Sequence, residues 1–208
     1  MRWPVIREPR AHKNPQVVEL KRGHFNDPHV GPLNQIVDEL SIQCPNKVPY
    51  FDPFDGGINS KLLFILRSPV LGAEQSGIVS RDNDDAAAAT TFRVFDEVGI
   101  PRGQTTLWNM IPWYSKPPFK KYDIEFGVSC LTKILAQFSS LEAIVFAGRG
   151  VPLQGSKLVQ TPVRKFCTLS PGAQSRLSNV QYIETIIGDL TRVWKNSSGR
   201  SALQSPLP

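Results

Sequence analysis

Cysteine is scarce in this chain, and its scarcity excludes several classes of small protein. The 208 residues include only three cysteines, Cys44, Cys130 and Cys167, which lie far apart in the sequence. An odd number of widely spaced cysteines provides neither a disulfide framework nor a Cys-x-x-Cys metal knuckle. We therefore expect free thiols in a reducing cytoplasm, and no bound metal.

Long apolar runs and phosphate-binding loops are also missing. No stretch approaches the roughly 18 apolar residues of a membrane-spanning helix, and the initial Met-Arg-Trp-Pro lacks the apolar core of a signal peptide. These features predict a cytoplasmic protein without a membrane partner. Neither a Gly-x-Gly-x-x-Gly nor a Walker-type loop occurs, which disfavours a nucleotide-binding α/β protein unrelated to DNA.

The charge balance is basic. Lys and Arg number 24 against 18 Asp and Glu, a formal net charge of +6. Such a balance favours a polyanion such as DNA, because each Lys or Arg placed against a phosphate releases a counterion. No run of five or more basic residues occurs, so any DNA-binding surface must be assembled by folding.

The composition divides the chain into three parts. Residues 1–48 are polar and proline-punctuated, and only 33–40 have helical spacing of apolar residues, which predicts an arm of one short helix and loops packing on the body. Residues 49–194 are long enough for one domain with its own core. Residues 195–208 are rich in Ser, Pro and Gly, and we predict a disordered tail there.

The body alternates between two kinds of apolar pattern. Short apolar or β-prone runs predict strands at 61–66, 105–108, 143–147 and 163–169. Helical patterns follow at 84–98, 123–138 and 180–194. This alternation predicts an α/β fold with a central four-stranded parallel sheet and helices on both faces. Ligands of such sheets bind beyond the carboxyl ends of the strands, here at 67–69, 109–112, 148–150 and 170–172.

Three motifs in these segments carry a family resemblance. Phe51–Gly57 reads FDPFDGG, Ser80–Asn83 reads SRDN, and Trp108–Tyr114 reads WNMIPWY. In order and spacing they resemble the bacterial uracil-DNA glycosylase-like family over residues 48–190. The resemblance implies a three-layer α/β/α sandwich that flips a nucleotide out of DNA and cleaves its N-glycosidic bond. Some branches of the family hold an iron–sulfur cluster on four cysteines, which three scattered cysteines do not provide.

The base pocket departs from the family pattern. Arg67 stands where the family has the acid of Glu-Ala-Pro-Gly, and Ile78 replaces an aromatic residue that resembles the one stacking on the flipped base. Thr168 aligns with the His of His-Pro-Ser-Pro, so the imidazole that would stabilise the leaving base is missing. Asn109, which matches the Asn that hydrogen-bonds the base edge, is retained.

These comparisons nominate candidate residues for three roles. We predict catalytic roles for Asp82, Asn83 and Asn109, with Asp82 as a replacement carboxylate that activates water. The predicted substrate-binding residues are Arg67, Ser68, Pro69, Ile78, Thr168 and Ser170. The predicted DNA-binding residues are Lys116, Lys120, Arg149, Gln174 and Arg176.

Each of these residue types also has an ordinary structural explanation. Asp82 and Asn83 can cap the helix that begins nearby. Arg67 can be a surface cation, Asn109 a turn residue, and the 170–176 segment a plain connection into a helix. Asp52, Asp55, Trp108, Trp113 and Tyr114 are expected to have structural duties. His12, His24 and His29 lie in the arm and are expected to be solvated.

The pattern predicts a monomeric, monofunctional DNA glycosylase that uses water and no cofactor. Its altered pocket favours a modified or damaged base over plain uracil, and modified cytosine of phage DNA, which would make the protein a defence enzyme, is one hypothesis. One alternative is a non-catalytic relative that binds a base lesion without cleaving it. Conventional excision of uracil is a second alternative.

Overall fold

The computed structural model describes residues 6–44, 46–172 and 179–202. The strands are β1 Tyr50–Phe51, β2 Leu62–Leu66, β3 Ile78–Val79, β4 Thr105–Asn109, β5 Ala143–Ala147 and β6 Arg164–Thr168. The helices are α1 Pro15–Arg22, α2 Gly31–Gln43, α3 Leu71–Ser76, α4 Ala86–Val98, α5 Lys121–Leu135, α6 Val151–Leu158 and α7 Val180–Ala202.

Four strands form the predicted parallel sheet, in the order β4-β2-β5-β6. The two central strands, β2 and β5, consist entirely of apolar residues, as strands covered on both faces require. Strand β6 lies at the edge, and its burial alternates along the strand. The prediction of an α/β fold with a central four-stranded parallel sheet is confirmed.

The strand order determines which helices cover which face. The chain moves from β2 to β4 in one direction and then returns across β2 to β5 and on to β6. Because such crossovers are right-handed, α4 covers one face and α5 and α6 cover the other. Helix α7 packs on α4, and α5 packs on α6 and α2. The result is a three-layer α/β/α arrangement, with the direction of connection changing between β2 and β5.

The N-terminal arm contains more regular structure than its sequence predicted. Helix α1 precedes the expected helix α2, with the Asn14 side chain accepting a hydrogen bond from the Gln16 N–H. After α2, strand β1 pairs in parallel with β3, Tyr50 opposite Ile78. This small second sheet joins the segment directly after the arm to the segment that follows β2.

Aromatic packing connects the small sheet and helix α4 to the main sheet. The rings of Phe51 and Trp108 stack with centroids 4.1 Å apart, and Phe64 meets Phe95 edge-on at 5.2 Å. Trp108 is fully buried and Trp113 nearly so. These tryptophans are core residues, as expected from the sequence.

Three helical segments differ from the sequence prediction. Helices α3 and α6 are only 6 and 8 residues long, and were not predicted. Helix α7 continues to Ala202, which corrects the predicted start of a disordered tail at residue 195. The extension is anchored by Ser197, which is buried. Residues 203–208 of that predicted tail lie outside the described residues. No described helix has the length and apolar character that crossing a membrane would require.

Candidate functional site

A cavity of about 630 Å³ opens at the carboxyl edge of the sheet, between the ends of β2 and β5. This is the point where the connections change direction, and open α/β sheets bind their ligands there. All four segments that the sequence placed at this edge contribute to the lining: Arg67–Pro69, Asn109, Gly148–Gly150, and Ser170 with Gly172. The start of α4 and the short helix α3 provide the opposite wall.

Small residues create the space. The α4 side contributes Ala86, Ala87 and Ala88, which leave room above the strand ends. Gly148 has a φ of 126°, a conformation that side chains with a Cβ rarely adopt. The chain can therefore turn sharply from β5 into the cavity wall at this glycine.

Asn109 ends β4 and lines the cavity. Asn109 is only 2% exposed to solvent. None of the described residues forms a hydrogen bond with its side-chain amide. A turn Asn would bond to its own neighbouring backbone, and no such bond is present within the described part of the chain.

Arginine side chains surround the mouth of the cavity. Arg67 and Arg149 are exposed and line the opening, together with Arg10 from the arm. The Arg67 guanidinium lies 5.7 Å from the centre of the Phe119 ring, which ties it to the loop before α5. Arg67 is thus an exposed cation that also lines the cavity, and its predicted substrate contact stays a prediction.

Asp82 lies outside the cavity lining, within a buried cluster of charges. Its Oδ2 is 2.5 Å from the Lys21 Nζ and 2.7 Å from an Arg102 nitrogen. Burial alone would raise the pKa of Asp82, but the charges of Arg102 and Lys21 outweigh it and hold the pKa below its usual value. The predicted role of Asp82 in activating water is therefore corrected, because two cations already hold its carboxylate.

The same cluster explains the FDPFDGG motif. Asp52 accepts hydrogen bonds from Lys21 at 2.6 Å and from Arg102 at 2.7 Å. Asp55 lies 3.0 Å from Arg102 and 3.3 Å from Arg81, so three carboxylates meet three cations. The structural duty expected of Asp52 and Asp55 agrees with this arrangement.

One corner of the cluster has the donor set of a metal site. His12, Asp52 and Asp82 each offer an atom within 4.8 Å of the others. The Lys21 ammonium, however, bonds to both carboxylates and supplies the positive charge that a cation would bring. The arrangement is therefore an ion-pair cluster rather than a metal centre.

Asn83 lines the cavity with its side chain largely committed to the protein. Its Oδ1 accepts hydrogen bonds from the His12 ring at 2.7 Å and the Ser76 hydroxyl at 2.8 Å, and its Nδ2 donates to the Ile78 carbonyl. The residue that caps α4 is Asp85, whose Oδ1 accepts from the Ala88 N–H at 2.8 Å. The capping interpretation of Asp82 and Asn83 is wrong, and Asn83 is held in place by the arm.

The histidines of the arm are bonded rather than solvated. The His24 ring lies 3.1 Å from Asp27, and the His29 Nε2 lies 2.8 Å from the Pro53 carbonyl. The His12 ring lies 2.7 Å from the Asn83 Oδ1, and its Nε2 is buried without a partner among the described residues. The expectation of solvated histidines is corrected, because the arm folds onto the body instead of extending into water.

Two predicted base contacts lie outside the cavity lining. Ile78 is fully buried, and its neighbour Val79 lines the cavity, because successive side chains of a strand point to opposite sides. The Thr168 hydroxyl donates to Asp189 on α7 at 2.9 Å. Both predicted contacts are corrected: the β3 pleat and the α7 carboxylate direct these side chains away from the site. Ser68, Pro69 and Ser170 do line the cavity.

The predicted DNA-binding residues fall in three places. Arg149 is at the cavity mouth, and Lys116 and Lys120 are exposed on the loop that ends at α5. Gln174 and Arg176 lie outside the described residues.

Sequence reasoning missed the acidic residues of the cavity. Asp84 and Asp85 both line it, and Asp84 forms an ion pair with Arg10 at 3.3 Å. The available signal was an Asp directly before an alanine-rich helix, which marks an N-cap at the active edge of a parallel sheet.

No protein-family model matches this sequence, and no curated protein matches it. The geometry of the cavity and the motifs that line it are therefore the basis for assigning a function.

Proposed function

We propose that the protein is a DNA glycosylase that accepts a flipped, modified base into the cavity and hydrolyses its N-glycosidic bond. The observation that carries the proposal is the Asn109 amide, which lines a cavity at the direction change of the sheet and has no hydrogen-bond partner among the described residues. A flipped base is read by hydrogen bonds to its edge, and an amide offers both a donor and an acceptor for that purpose.

The volume of the cavity supports a substituted base rather than plain uracil. At about 630 Å³ it lies within the roughly 300–1,000 Å³ of sites that bury drug-sized ligands. A bare pyrimidine would leave most of that space empty. A base with a bulky polar substituent fills it, and Arg67 at the mouth can hydrogen-bond to hydroxyl groups that uracil lacks.

Charge at the opening supports a nucleic-acid substrate. Arg10, Arg67 and Arg149 line the cavity, and the chain has a net charge of +6. Guanidinium groups pair with phosphates in a bidentate manner, so the ring of arginines suits the backbone on either side of a flipped nucleotide.

A glycosylase panel tests the proposal. Single- and double-stranded oligonucleotides containing uracil, hypoxanthine, hydroxymethylcytosine or glucosylated hydroxymethylcytosine are incubated with the protein, and abasic sites are detected by alkaline cleavage. We expect cleavage at a bulky modified cytosine and none at uracil. Cleavage of uracil alone would support conventional uracil excision, and no cleavage of any substrate would overturn the proposed activity.

The ion pairs of Asp82 favour a second candidate, a non-catalytic protein that binds a base lesion. With Asp82 held by Lys21 and Arg102, the residue expected to activate water is not available. Such a protein would retain the cavity and the arginines but leave the glycosidic bond intact.

Substitution of Asn109 by Ala distinguishes the two candidates. In a glycosylase we expect the single-turnover rate to fall by about 100-fold or more, since a donor aimed at the departing base is lost, while the DNA dissociation constant changes little. In a non-catalytic binder only the affinity would change. The rate is measured by abasic-site formation and the affinity by fluorescence anisotropy, with Asn179→Ala outside the cavity as the matched control.

A further inference from the structure

We propose that a second cavity binds one base of a single-stranded DNA segment whose phosphates lie on neighbouring lysines. This cavity has a volume of about 400 Å³ and lies between the end of α2, the loop that precedes α5, and the first turns of α5. The residues that give it its character are Cys44, Trp113, Pro118, Lys120, Tyr122 and Phe126. The inference assigns a site to a nucleotide other than the flipped one, and it rests on the proposed function only in taking DNA as the ligand.

Three aromatic side chains form the apolar walls. The rings of Trp113 and Phe126 meet edge-on, with centroids 5.5 Å apart and planes at 68°. Tyr122 is 61% exposed, so part of its ring remains accessible to a ligand. Every nucleobase has a flat π-face, and proteins bind single-stranded DNA by stacking aromatic side chains on it with little regard to sequence. The walls therefore suit a base without selecting which one.

Hydrogen bonds between neighbouring elements hold these walls in place. The Asn46 side chain donates to the Tyr114 carbonyl at 3.1 Å, which joins the segment after α2 to the loop before α5. The Lys120 N–H donates to the Asp123 Oδ2 at 2.8 Å, which fixes the loop to the first turn of α5. A cavity whose walls are already ordered loses less conformational entropy when a ligand enters.

Polar side chains are available for the edge of a bound base. Gln43 and Ser115 line the cavity, and within the described ranges neither side chain forms a hydrogen bond. An amide offers both a donor and an acceptor, and a hydroxyl can act as either, so together they can pair with the edge of any base. This tolerance agrees with a site for a nucleotide of unspecified sequence.

Positive charge lies beside the aromatic walls. The Lys120 Nζ is 5.5 Å from the centre of the Tyr122 ring. Lys116 and Lys120 are both exposed, and neither ammonium forms an ion pair in the part of the chain that the structure describes. Asp123 also lines the cavity, but its Oδ2 accepts a hydrogen bond from the Lys120 backbone rather than from an ammonium. Ammonium groups next to a stacking surface are the combination that single-stranded DNA requires.

One loop connects this cavity to the main one. Arg67 lines the main cavity, and its guanidinium lies 5.7 Å from the centre of the Phe119 ring. Phe119 stands between Pro118 and Lys120, which both line the second cavity. A DNA strand that passes along this loop can therefore place one nucleotide in the main cavity while the base of another stacks beside Tyr122.

Protection of Cys44 from alkylation tests whether DNA enters the second cavity. The full chain is mixed with an oligothymidine of about eight nucleotides, within the roughly 4–16 nucleotides of typical single-strand sites, and treated with N-ethylmaleimide. Burial raises the pKa of the Cys44 thiol to about 11, so labelling is run at a pH of about 9 to increase the thiolate fraction.

At about ten times its dissociation constant the oligothymidine fills about nine-tenths of the sites, so labelling of Cys44 should slow by about tenfold. Labelling is read by peptide mass spectrometry. Cys167, which is exposed on β6, is the internal control and should react at an unchanged rate.

An oligonucleotide of the same length that carries abasic sites throughout separates stacking from charge. It keeps the phosphates but lacks the bases, so it should protect Cys44 much less. Tyr122→Ala should weaken the binding of oligothymidine by about fivefold or more, the effect of losing one stacked base, and leave the binding of the abasic oligonucleotide within about twofold of wild type. Tyr122→Phe retains the ring and should bind both like the wild type. Lys120→Gln should weaken both. Leu158→Ala, at an exposed apolar residue outside both cavities, is the matched control.

The outcomes distinguish this site from the function proposed above. If the two oligonucleotides bind equally and affect Cys44 equally, the base has no site here and the inference is overturned. Protection of Cys44 that rises with protein concentration in the absence of DNA would assign the cavity to a second copy of the chain, and would overturn it too. Cleavage of a modified base with Cys44 unprotected removes this site and leaves the glycosylase proposal intact. Protection of Cys44 and a base-dependent loss in Tyr122→Ala, without cleavage of any substrate, support the site and overturn the glycosylase proposal.

Discussion

At the residue scale, the buried charges are the most constrained feature of the molecule. Lys21 is fully buried, and its ammonium bonds to Asp52, Asp82 and the Ser80 hydroxyl. A buried charge is tolerated only when its partners compensate for the lost hydration. Lys21 comes from the arm and its three partners from the body, so this side chain is one of the contacts that join the two parts.

Lys21→Met should therefore destabilise the fold strongly. Removing one partner leaves buried carboxylates short of a counter-charge, which typically costs about 3–5 kcal/mol. The free energy of unfolding is measured by urea denaturation followed by circular dichroism. Lys13→Met is the control, because Lys13 is 61% exposed and its weak ion pair with Asp84 should be worth less than about 1 kcal/mol. Equal effects of the two substitutions would contradict this account of the cluster.

At the element scale, the arm positions the cavity wall. The segment 11–13 forms a short 3-10 helix before α1, and the His12 backbone N–H donates to the Asp82 carbonyl. The His12 ring holds Asn83, whose Oδ1 can only accept, so the ring Nδ1 carries the proton. The arm is therefore part of the site rather than a peripheral extension.

Protonation of His12 should weaken the docking of the arm. Burial, followed by the charge of Lys21, lowers the pKa of His12 below its usual value. The folded state therefore binds the second proton less readily than the unfolded state. Neutral His12 therefore stabilises the docked arm fully above the unfolded pKa of about 6.5. This stabilisation is lost as the pH falls from there towards the pKa of His12 in the folded state.

Amide hydrogen exchange of α1 measures this effect. We expect faster exchange in α1 at pH 5.5 than at pH 7.5, beyond the intrinsic change in exchange rate. His12→Gln, which has no titrating group, should show much less pH dependence, and His24→Gln serves as the control histidine. An unchanged pH dependence in His12→Gln would assign the effect to another group.

At the scale of the whole molecule, the sheet topology places the cavity and two of its arginines at one edge of the sheet. The direction change between β2 and β5 places the cavity at one edge, and Arg67 and Arg149 lie at its mouth. Lys116 and Lys120 lie on the exposed loop whose Phe119 contacts Arg67. The contact between Arg67 and Phe119 therefore places the exposed basic residues of this loop near the cavity.

DNA binding should become weaker and less dependent on salt when these cations are removed. Each phosphate contact contributes roughly one unit to the slope of log K against log salt concentration. The variants that test this are Arg149→Gln, Lys116→Gln and Lys120→Gln. Each should reduce the magnitude of the slope by about one and weaken binding by about tenfold or less at 50 mM salt. Binding is measured by fluorescence anisotropy between 50 and 300 mM salt. Lys133→Gln on α5 is the control. An unchanged slope in all three variants would contradict the proposed DNA-binding role of these residues.

The sequence by itself determined the sheet and the edge at which the cavity opens. The apolar runs of β2 and β5 and the Gly- and Pro-containing segments after them are local features, and the carboxyl ends of parallel strands meet at one edge. Asn109 could be nominated in this way, because a residue at the carboxyl end of a parallel strand lies at this edge of the sheet.

Only the tertiary structure decided which acid faces the cavity. Asp82 and Asp85 are three residues apart in one acidic stretch, and the local signal before α4 marks an N-cap without showing which carboxylate lines the cavity. The difference comes from Lys21 and Arg102, which lie 61 and 20 residues from Asp82 and draw its carboxylate into the charge cluster. Asp85 instead caps α4 through its Oδ1, and its Oδ2 lies beside Gly72. Long-range pairing of charges is invisible to sequence periodicity, because the partners meet only after the arm has docked on the sheet.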